Sequence, residues 1–115
     1  MRVVLIILIL LGFGRLLIAQ TIIPSVNKST GTASFYAKKF NGRKTSSGEK
    51  FSSDSLTAAH KKFKFGTYVL VRNLKNDSTV VVKINDRLPQ KSKRSIDLTL
   101  RAAKQLNFMR PPDSQ

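Results

Sequence analysis

The 115-residue chain contains no cysteine and a single histidine, His60. The missing cysteines exclude disulfide bonds, and they also exclude a lipid anchor attached through an N-terminal cysteine thioether. Because structural zinc sites are built from cysteine and histidine, one histidine cannot supply the ligands, and we predict neither a metal ion nor another cofactor. The fold must therefore be stabilised by its hydrophobic core alone.

Long apolar runs are also absent except near the N-terminus. There, Arg2 is followed by the apolar residues 3–11, and the small residue Ala19 comes some way after them. A positive charge, an apolar stretch and a small residue in this order are typical of a secretory signal, so we predict that residues 1–20 are cleaved during export. An uncleaved membrane anchor is the alternative, although the charge of Arg15 would be costly inside the hydrocarbon layer.

Acidic residues are scarce. The chain has 6 Asp and Glu residues against 21 Lys and Arg residues, which gives a formal net charge of +15. Such a balance favours anionic partners such as nucleic acid, anionic lipid or a charged wall polymer. Since an exported protein seldom meets nucleic acid, we expect a wall polymer and no nucleic acid. A cationic surface without any partner is the alternative.

The remainder of the chain is long enough for one domain, and its patterns are mainly those of β-structure. Alternating or β-branched residues predict strands at 32–37, 65–72 and 79–85. One face shared by Leu98, Ala102 and Leu106 predicts a short helix. The predicted organisation is a signal peptide at 1–20, a linker at 21–30, a folded domain at 31–109 and a tail at 110–115.

Two aspartates occur in apolar surroundings. Asp86 comes directly after the predicted strand 79–85 and two residues after Ile84, so its side chain points to the same side as that of Ile84, toward the core. Asp97 is flanked by Ile96 and Leu98. A carboxyl group in a partly apolar cleft keeps its proton more readily and can protonate the leaving oxygen of a glycosidic bond. Both residues are therefore candidates for acid–base catalysis, as are two polar residues elsewhere in the chain, Glu49 and His60.

Each candidate also has a structural interpretation, which the residue pattern by itself favours. Asp97 and Thr99 are both candidates for the N-terminal cap of the helix. Asp86 can instead pair with Arg87, and His60 can be a core histidine whose hydrogen bonds are satisfied. A serine–histidine–aspartate triad or a glycine-rich phosphate loop has no supporting motif in the chain.

A series of short motifs occurs in an order that resembles one family. The motifs are 31–36 (GTASFY), 41–45 (NGRKT), 48–49 (GE), 56–60 (LTAAH), 65–67 (FGT), 69–73 (VLVRN), 80–87 (VVVKINDR), Pro89, 96–98 (IDL) and 102–103 (AA). Together they resemble the rare lipoprotein A family. The resemblance runs from residue 31 to about residue 108 and implies a mainly β fold, a six-stranded double-psi β-barrel with one or two short helices.

The resemblance also implies an activity. Members of that family bind peptidoglycan, and some are lytic transglycosylases that prefer glycan strands without stem peptides. Here it implies cleavage between N-acetylmuramic acid and N-acetylglucosamine, with a 1,6-anhydro product. The implied catalytic residues are Glu49, His60, Asp86 and Asp97, with Asp86 or Asp97 as the general acid. The implied substrate-binding residues are Tyr36, Arg43, Asn85 and Arg87.

Two features depart from the family. The chain lacks the lipid-anchored cysteine, so we expect a periplasmic or secreted protein without a lipid anchor. We also expect a monomer. The family barrel also ends in a strand of alternating valines, whereas residues 110–115 contain two prolines, which are unfavourable in a strand. We therefore expect the last strand to be missing, and either residues 21–28 cover the gap or the barrel stays open.

Two other functions stay open at this point. One is a peptidoglycan-binding or wall-loosening module without bond cleavage, as in expansin-like barrels. The other is a cationic secreted protein that attacks membranes, for which the sequence offers no long amphipathic helix.

Overall fold

The computed structural model describes residues 1–8, 28–36 and 38–108. The expected cleavage site at Ala19, the linker residues 21–27 and the tail residues 110–115 lie outside the described residues. The strands are, in chain order, β1 (Arg2–Leu8), β2 (Lys28–Phe35), β3 (Thr57–His60), β4 (Tyr68–Asn73), β5 (Thr79–Arg87) and β6 (Ile96–Leu98). The described helical elements are α1 (Leu100–Gln105) and a 3-10 turn (Lys38–Phe40).

The strands close into a barrel in the order β1-β2-β6-β3-β5-β4. β1 is antiparallel to both of its neighbours, β2 and β4, and β4 is antiparallel to β5. β2 runs parallel to β6, β3 runs parallel to β5, and β3 and β6 are antiparallel. This mixed barrel confirms the predicted mainly β fold and is consistent with a double-psi β-barrel.

Alternating apolar side chains fill the interior of the barrel. β5 shows the pattern most clearly, since Val80, Val82 and Ile84 are at most 3% exposed whereas Val81 is 40% exposed. The alternation predicted for this strand is therefore confirmed. The other strands and the helix add Val3, Leu5, Ala33, Ala58, Val69, Val71, Ile96, Leu98, Ala102 and Leu106 to the same core.

The sequence patterns do not predict β1, β3 or β6. β1 is missed because its residues belong to the expected export signal. Four of its seven residues are valine or isoleucine, which favour extended backbone. The strand lies in the gap between β2 and β4, so of the two alternatives for the gap, the open barrel is not what the structure contains. Arg2–Leu8 closes it. Cleavage of residues 1–20 and the domain boundaries stay predictions.

The helix α1 begins after Thr99, one of its two predicted caps. The side-chain oxygen of Thr99, the N-cap, accepts a hydrogen bond from the backbone N–H of Ala102 at 3.3 Å. Asn107 has a φ of 52°, the left-handed conformation in which helices commonly end. Because Thr99 is the cap, the carboxylate of Asp97 is left for other contacts. Among the helices of residues 1–8, 28–36 and 38–108, none is long and apolar enough to cross a membrane.

Candidate active site

The short strand β3 brings two aspartates to neighbouring positions. Ala59 of β3 is the register partner both of Asp86 on β5 and of Asp97 on β6. Because adjacent strands lie about 4.8 Å apart, the two aspartate backbones are roughly 10 Å from each other. The barrel therefore places one carboxylate on either side of Ala59.

The carboxylate of Asp86 is held by three hydrogen-bond donors. Its Oδ2 accepts from the phenol of Tyr36 at 2.7 Å, and its Oδ1 accepts from the backbone N–H groups of Ser46 and Arg87, both at 2.9 Å. Burial on its own would raise the pKa of Asp86, but these hydrogen bonds outweigh it and hold the pKa below its ordinary value. Asp86 is therefore a carboxylate at neutral pH, and two of its donors are backbone groups that cannot rotate away.

The guanidinium of Arg87 does not neutralise Asp86. It lies over the ring of Phe65, 4.1 Å from the ring centroid, and its Nη1 donates to the backbone oxygen of His60 at 3.4 Å. Phe65 is 41% exposed, so this cation–π pair lies at the surface. The structural alternative for Asp86, an ion pair with Arg87, is therefore not what the structure contains.

Asp97 is held by a different set of donors. The Nε and Nη2 atoms of Arg94 donate to its two carboxylate oxygens at 2.7 and 3.1 Å, and the hydroxyl of Ser34 donates to Oδ1. The side chain of Asp97 is 14% exposed, whereas that of Arg94 is 46% exposed. A bidentate guanidinium–carboxylate pair is geometrically specific. The charged donor to Asp97 is nevertheless a long surface side chain that can move without unfolding any backbone.

Two side chains at the end of β2 donate hydrogen bonds to the two aspartates. Ser34 and Tyr36 are two residues apart, so their side chains point the same way, and each hydroxyl donates to one of the two carboxylates. The ring of Tyr36 packs against Phe51 with a centroid distance of 4.5 Å. Burial, then the hydrogen bond to Asp86 and the charges of Asp86 and Asp97, raise the pKa of Tyr36 far above its ordinary value. Its phenol is therefore a fixed donor, and the ring face toward Phe51 is already covered.

Glu49 is hydrogen-bonded to the buried side-chain amide of Asn85, the residue before Asp86. Its carboxylate oxygens accept from Nζ of Lys83 at 2.9 Å and from Nδ2 of Asn85 at 3.0 Å. The hydrogen bonds from Lys83 and Asn85 hold the pKa of Glu49 below its ordinary value. Asn85 is 5% exposed and precedes Asp86 in the chain. Glu49 therefore fixes the orientation of the amide next to Asp86.

His60 follows Ala59 on β3, but its hydrogen bonds go to the next loop. Its Nδ1 accepts from the backbone N–H groups of Lys62 and Phe63, both at 3.1 Å, and its ring stacks on Phe63 with centroids 3.6 Å apart. Burial, followed by the positive charges of Lys62, Arg87 and Lys61, lowers the pKa of His60 to about 4. The ring is therefore neutral at pH 7, and with Nδ1 accepting, its proton is on Nε2. It lines a cavity of about 280 Å³ that also borders β1 and β2.

Comparison with known families identifies this barrel. A sequence model of the lytic transglycolase family matches residues 28–111. The chain belongs to this family. The matched region contains every described element except β1. Together with the relatives described next, this match confirms the predicted resemblance to the rare lipoprotein A group.

Curated relatives are similar over the same region. The endolytic peptidoglycan transglycosylase RlpA of Pasteurella multocida is 51% identical over 79 residues, which are 69% of this chain and 27% of the relative. Proteins of the same name from Haemophilus influenzae and Neisseria meningitidis serogroup A are 49% and 46% identical over 69% and 70% of this chain. These matches are 28% and 34% of the two relatives. The chain thus spans only about a quarter to a third of the relatives' length.

Four of the eight predicted site residues lie close together around the end of β5. Tyr36 donates to Asp86, and Asn85, the residue before Asp86, donates to Glu49. Asp97 lies beyond Ala59 on the neighbouring strand. Of the remaining predicted residues, Arg43 is exposed, with its guanidinium 5.3 Å from the ring centroid of Phe40. The ring of His60 is hydrogen-bonded to the loop that follows β3, and the guanidinium of Arg87 lies over Phe65. Within the described ranges, no group of three or more His, Asp or Glu side chains is arranged to hold a metal ion.

Three residues that donate to the two aspartates are absent from the sequence prediction. They are Ser34 and Arg94, which hold Asp97, and Ser46, which holds Asp86. The two-residue spacing of Ser34 and Tyr36 and the three-residue spacing of Arg94 and Asp97 are signals that the sequence does contain. The contact of Ser46 with Asp86 spans 40 residues, and no local pattern indicates it.

Proposed function

We propose that this chain is a lytic transglycosylase that cleaves peptidoglycan glycan strands between N-acetylmuramic acid and N-acetylglucosamine. The observation that carries the proposal is the pair of carboxylates on either side of Ala59, each with its own set of donors. Family membership and the name of the relatives, endolytic peptidoglycan transglycosylase, support it. Since peptidoglycan lies outside the cytoplasm, we propose that the protein acts after export, in the periplasm or as a secreted protein.

The two aspartates differ in how firmly the anion is held, which supports a division of labour. The backbone donors of Asp86 keep it a carboxylate throughout the reaction, and it stabilises the positive charge that develops on the anomeric carbon. Asp97 is instead held by the mobile side chain of Arg94, which an anionic group of the substrate draws away, and this frees the Asp97 carboxyl group to face the glycosidic oxygen. We therefore assign the general acid to Asp97.

The proposed reaction needs one acid that later acts as a base. Asp97 protonates the glycosidic oxygen, and the bond from that oxygen to C1 of the muramic acid breaks. The Asp97 carboxylate then takes the proton of the C6 hydroxyl of the same sugar, while the C6 oxygen attacks C1. The products are a free N-acetylglucosamine hydroxyl and a 1,6-anhydro end. Asp97 is protonated again, and no water is consumed.

Neighbouring side chains have supporting roles in this proposal. Tyr36 positions Asp86 through its hydroxyl rather than stacking on a sugar. Asn85, oriented by Glu49, donates to or accepts from a sugar hydroxyl. The exposed guanidinium of Arg43 is suited to a substrate carboxylate. The net charge of +15 attracts the anionic polymer over a longer range.

His60 acts at a distance from the reacting sugar in this proposal. Its Nδ1 holds the two backbone N–H groups of residues 62 and 63, and so positions the loop that follows β3. The carbonyl oxygen of His60 also accepts from Arg87. His60 is therefore assigned as a positioning residue.

Product analysis tests the proposed function. The full chain is incubated with peptide-free glycan strands, and 1,6-anhydro ends are measured by mass spectrometry. Asp97→Asn and Asp86→Asn should each reduce the yield by roughly 100-fold or more. The matched control is Asp77→Asn: Asp77 has a side chain 78% exposed and a φ of 63°, which asparagine also tolerates. Its yield should equal that of the wild type.

Two outcomes would contradict the proposal. Normal yields from both site variants would show that the aspartate pair does not perform the chemistry. Retention of glycan by the wild-type protein without any soluble product would assign it to the binding or wall-loosening class instead.

A further inference from the structure

The barrel is closed by a strand that lies outside the family region. The family match begins at residue 28, where β2 begins, so β1 is not part of it. β1 nevertheless pairs along its length with two strands of the family domain. Val3 to Ile6 face Gly31 to Lys28 of β2, and Val3 to Leu8 face Asn73 to Tyr68 of β4. The family domain of this chain therefore has a gap of one strand between β2 and β4, and β1 occupies it.

The side chains of β1 are part of the core and not a covering layer. Val3 and Leu5 are 0% and 1% exposed and pack in the same cluster as Val69 and Val71 of β4. Backbone hydrogen bonds hold the first residues, since the N–H of Ala33 donates to the oxygen of Met1 at 2.9 Å. Burial of this kind requires an apolar residue at every second position of an extended segment.

An empty gap would be unfavourable in two ways. The facing edges of β2 and β4 would carry unpaired N–H and C=O groups, which makes them templates for another strand. The side chains of Val69 and Val71 would lose their neighbours and become exposed to water. The gap therefore selects an extended, apolar, β-branched segment, which is what Arg2–Leu8 offers.

We propose that the gap between β2 and β4 is a strand-binding site whose occupant is Arg2–Leu8 of the same chain, and that the folded protein retains this segment. The residues that read as the apolar part of an export signal then have a second role as the closing strand. A cut after Ala19 would break the covalent link between this strand and the rest of the barrel. The inference does not depend on the transglycosylase activity, and its tests do not measure activity.

Disulfide trapping tests the occupant directly, because the chain has no cysteine of its own. Val4 and Arg72 are register partners, so the double variant Val4→Cys/Arg72→Cys should oxidise to an intramolecular disulfide in the folded full chain. Val4→Cys/Tyr68→Cys is the matched control. Tyr68 lies four residues further along β4, which places it about 13 Å away from the register position, beyond the reach of a disulfide.

Peptide mapping and mass measurement then decide between the outcomes. Oxidation of the first pair in most molecules, with little in the control, supports the proposal. Equal oxidation of both pairs would overturn it, because the segment would then not be held in register. A disulfide between two chains would also overturn it, because the occupant would then be another copy.

Thermal unfolding provides a second test that does not rely on cysteine. Leu5→Ala should lower Tm by about 10 °C or more, since a buried leucine is removed from a domain of this size. Ile6→Ala, at a position on the opposite face of β1 that is only partly buried, should lower it by roughly 3 °C. Equal small shifts for both variants would overturn the proposal. The intact mass of the folded protein recovered after export should include residues 1–8, and its absence would overturn retention.

Discussion

Replacing Tyr36 by phenylalanine removes one donor to Asp86 and leaves the aromatic packing in place. The phenol donates to Oδ2 of Asp86 at 2.7 Å, while the ring contacts Phe51 and would continue to do so. A hydrogen bond to a charged group contributes about 1.5–3 kcal/mol to stability. We therefore expect Tyr36→Phe to lower the free energy of unfolding by about 2 kcal/mol at pH 7, and to raise the pKa of Asp86.

The effect of Tyr36→Phe should depend on pH in a defined direction. The pKa of Asp86 in the folded protein lies below its ordinary value of 3.8. The stabilisation is therefore fully present above the unfolded pKa and is lost as the pH falls through the folded pKa. The difference between wild type and variant should be largest at pH 7 and clearly smaller at pH 3. A loss of apolar packing alone would be similar at both pH values.

Urea unfolding at the two pH values measures this difference, and NMR titration of the Asp86 carboxyl carbon measures the pKa. Tyr68→Phe is the matched control, because Tyr68 is the other tyrosine of the chain and is 40% exposed. It should change stability by less than about 0.5 kcal/mol at either pH. An unchanged titration of Asp86 in Tyr36→Phe, or an equal loss of stability at pH 7 and pH 3, would refute the reasoning.

Three further predictions concern residues around the two aspartates. Arg94→Gln should raise KM on glycan strands by roughly 10-fold with a smaller change in kcat, because in the proposed reaction the guanidinium leaves Asp97 and binds an anionic group of the substrate, and steady-state kinetics would show it. His60→Gln should remove a pH dependence of stability. In the wild type, as the pH falls from 6.5 to about 4, the imidazole of His60 is protonated in the unfolded state but not in the folded state, because the folded protein lowers its pKa to about 4. The wild type should therefore lose at most about 2 kcal/mol of its free energy of unfolding over this range, after allowance for solvent screening. Urea unfolding at pH 7 and pH 4.5 measures that loss, and an equal loss in both proteins would contradict it. Gly31→Ala should destabilise the fold by about 1–3 kcal/mol, since the added Cβ would lie 2.7 Å from Cβ of Ser95, and a Tm equal to that of the wild type would contradict this.

The parts of the fold that the sequence predicts are those with a strong local signal. β5 is nine residues long and alternates strictly over Val80, Val82 and Ile84, and α1 has Thr99 and Asn107 at its ends. In contrast, β3 and β6 have four and three residues, too few for a period of two to be recognised. They become strands because they pair with each other and with β5 and β2. Only tertiary pairing defines them.

β1 shows a different limit of sequence patterns. A run of valine, leucine and isoleucine is equally suited to an export signal and to a strand buried in a barrel. The order of charge, apolar run and small residue favours the first interpretation, and the gap between β2 and β4 favours the second. The gap is not visible until the other strands have been assembled, so composition alone could not reveal it.

In the candidate site, too, the sequence reveals local features but not contacts between distant residues. Asp86 and Asp97 are found from their apolar neighbours, and the structure places them on either side of one residue. Their donors could not be assigned in this way. Tyr36 is 50 residues from Asp86, and Ser34 is 63 residues from Asp97. The contacts of each carboxylate depend on these distant donors, which is why the proposed division of labour between the two aspartates could not be drawn from the sequence.

The source of the oxygen at the new glycan end tests the central claim most directly. The wild-type protein is incubated with peptide-free glycan strands in water enriched in ¹⁸O, and the products are measured by mass spectrometry. An intramolecular attack by the C6 hydroxyl predicts 1,6-anhydro ends without ¹⁸O, and the loss of these products in Asp97→Asn. Reducing ends that carry one ¹⁸O would contradict the account, because water and not the C6 oxygen would then have attacked C1.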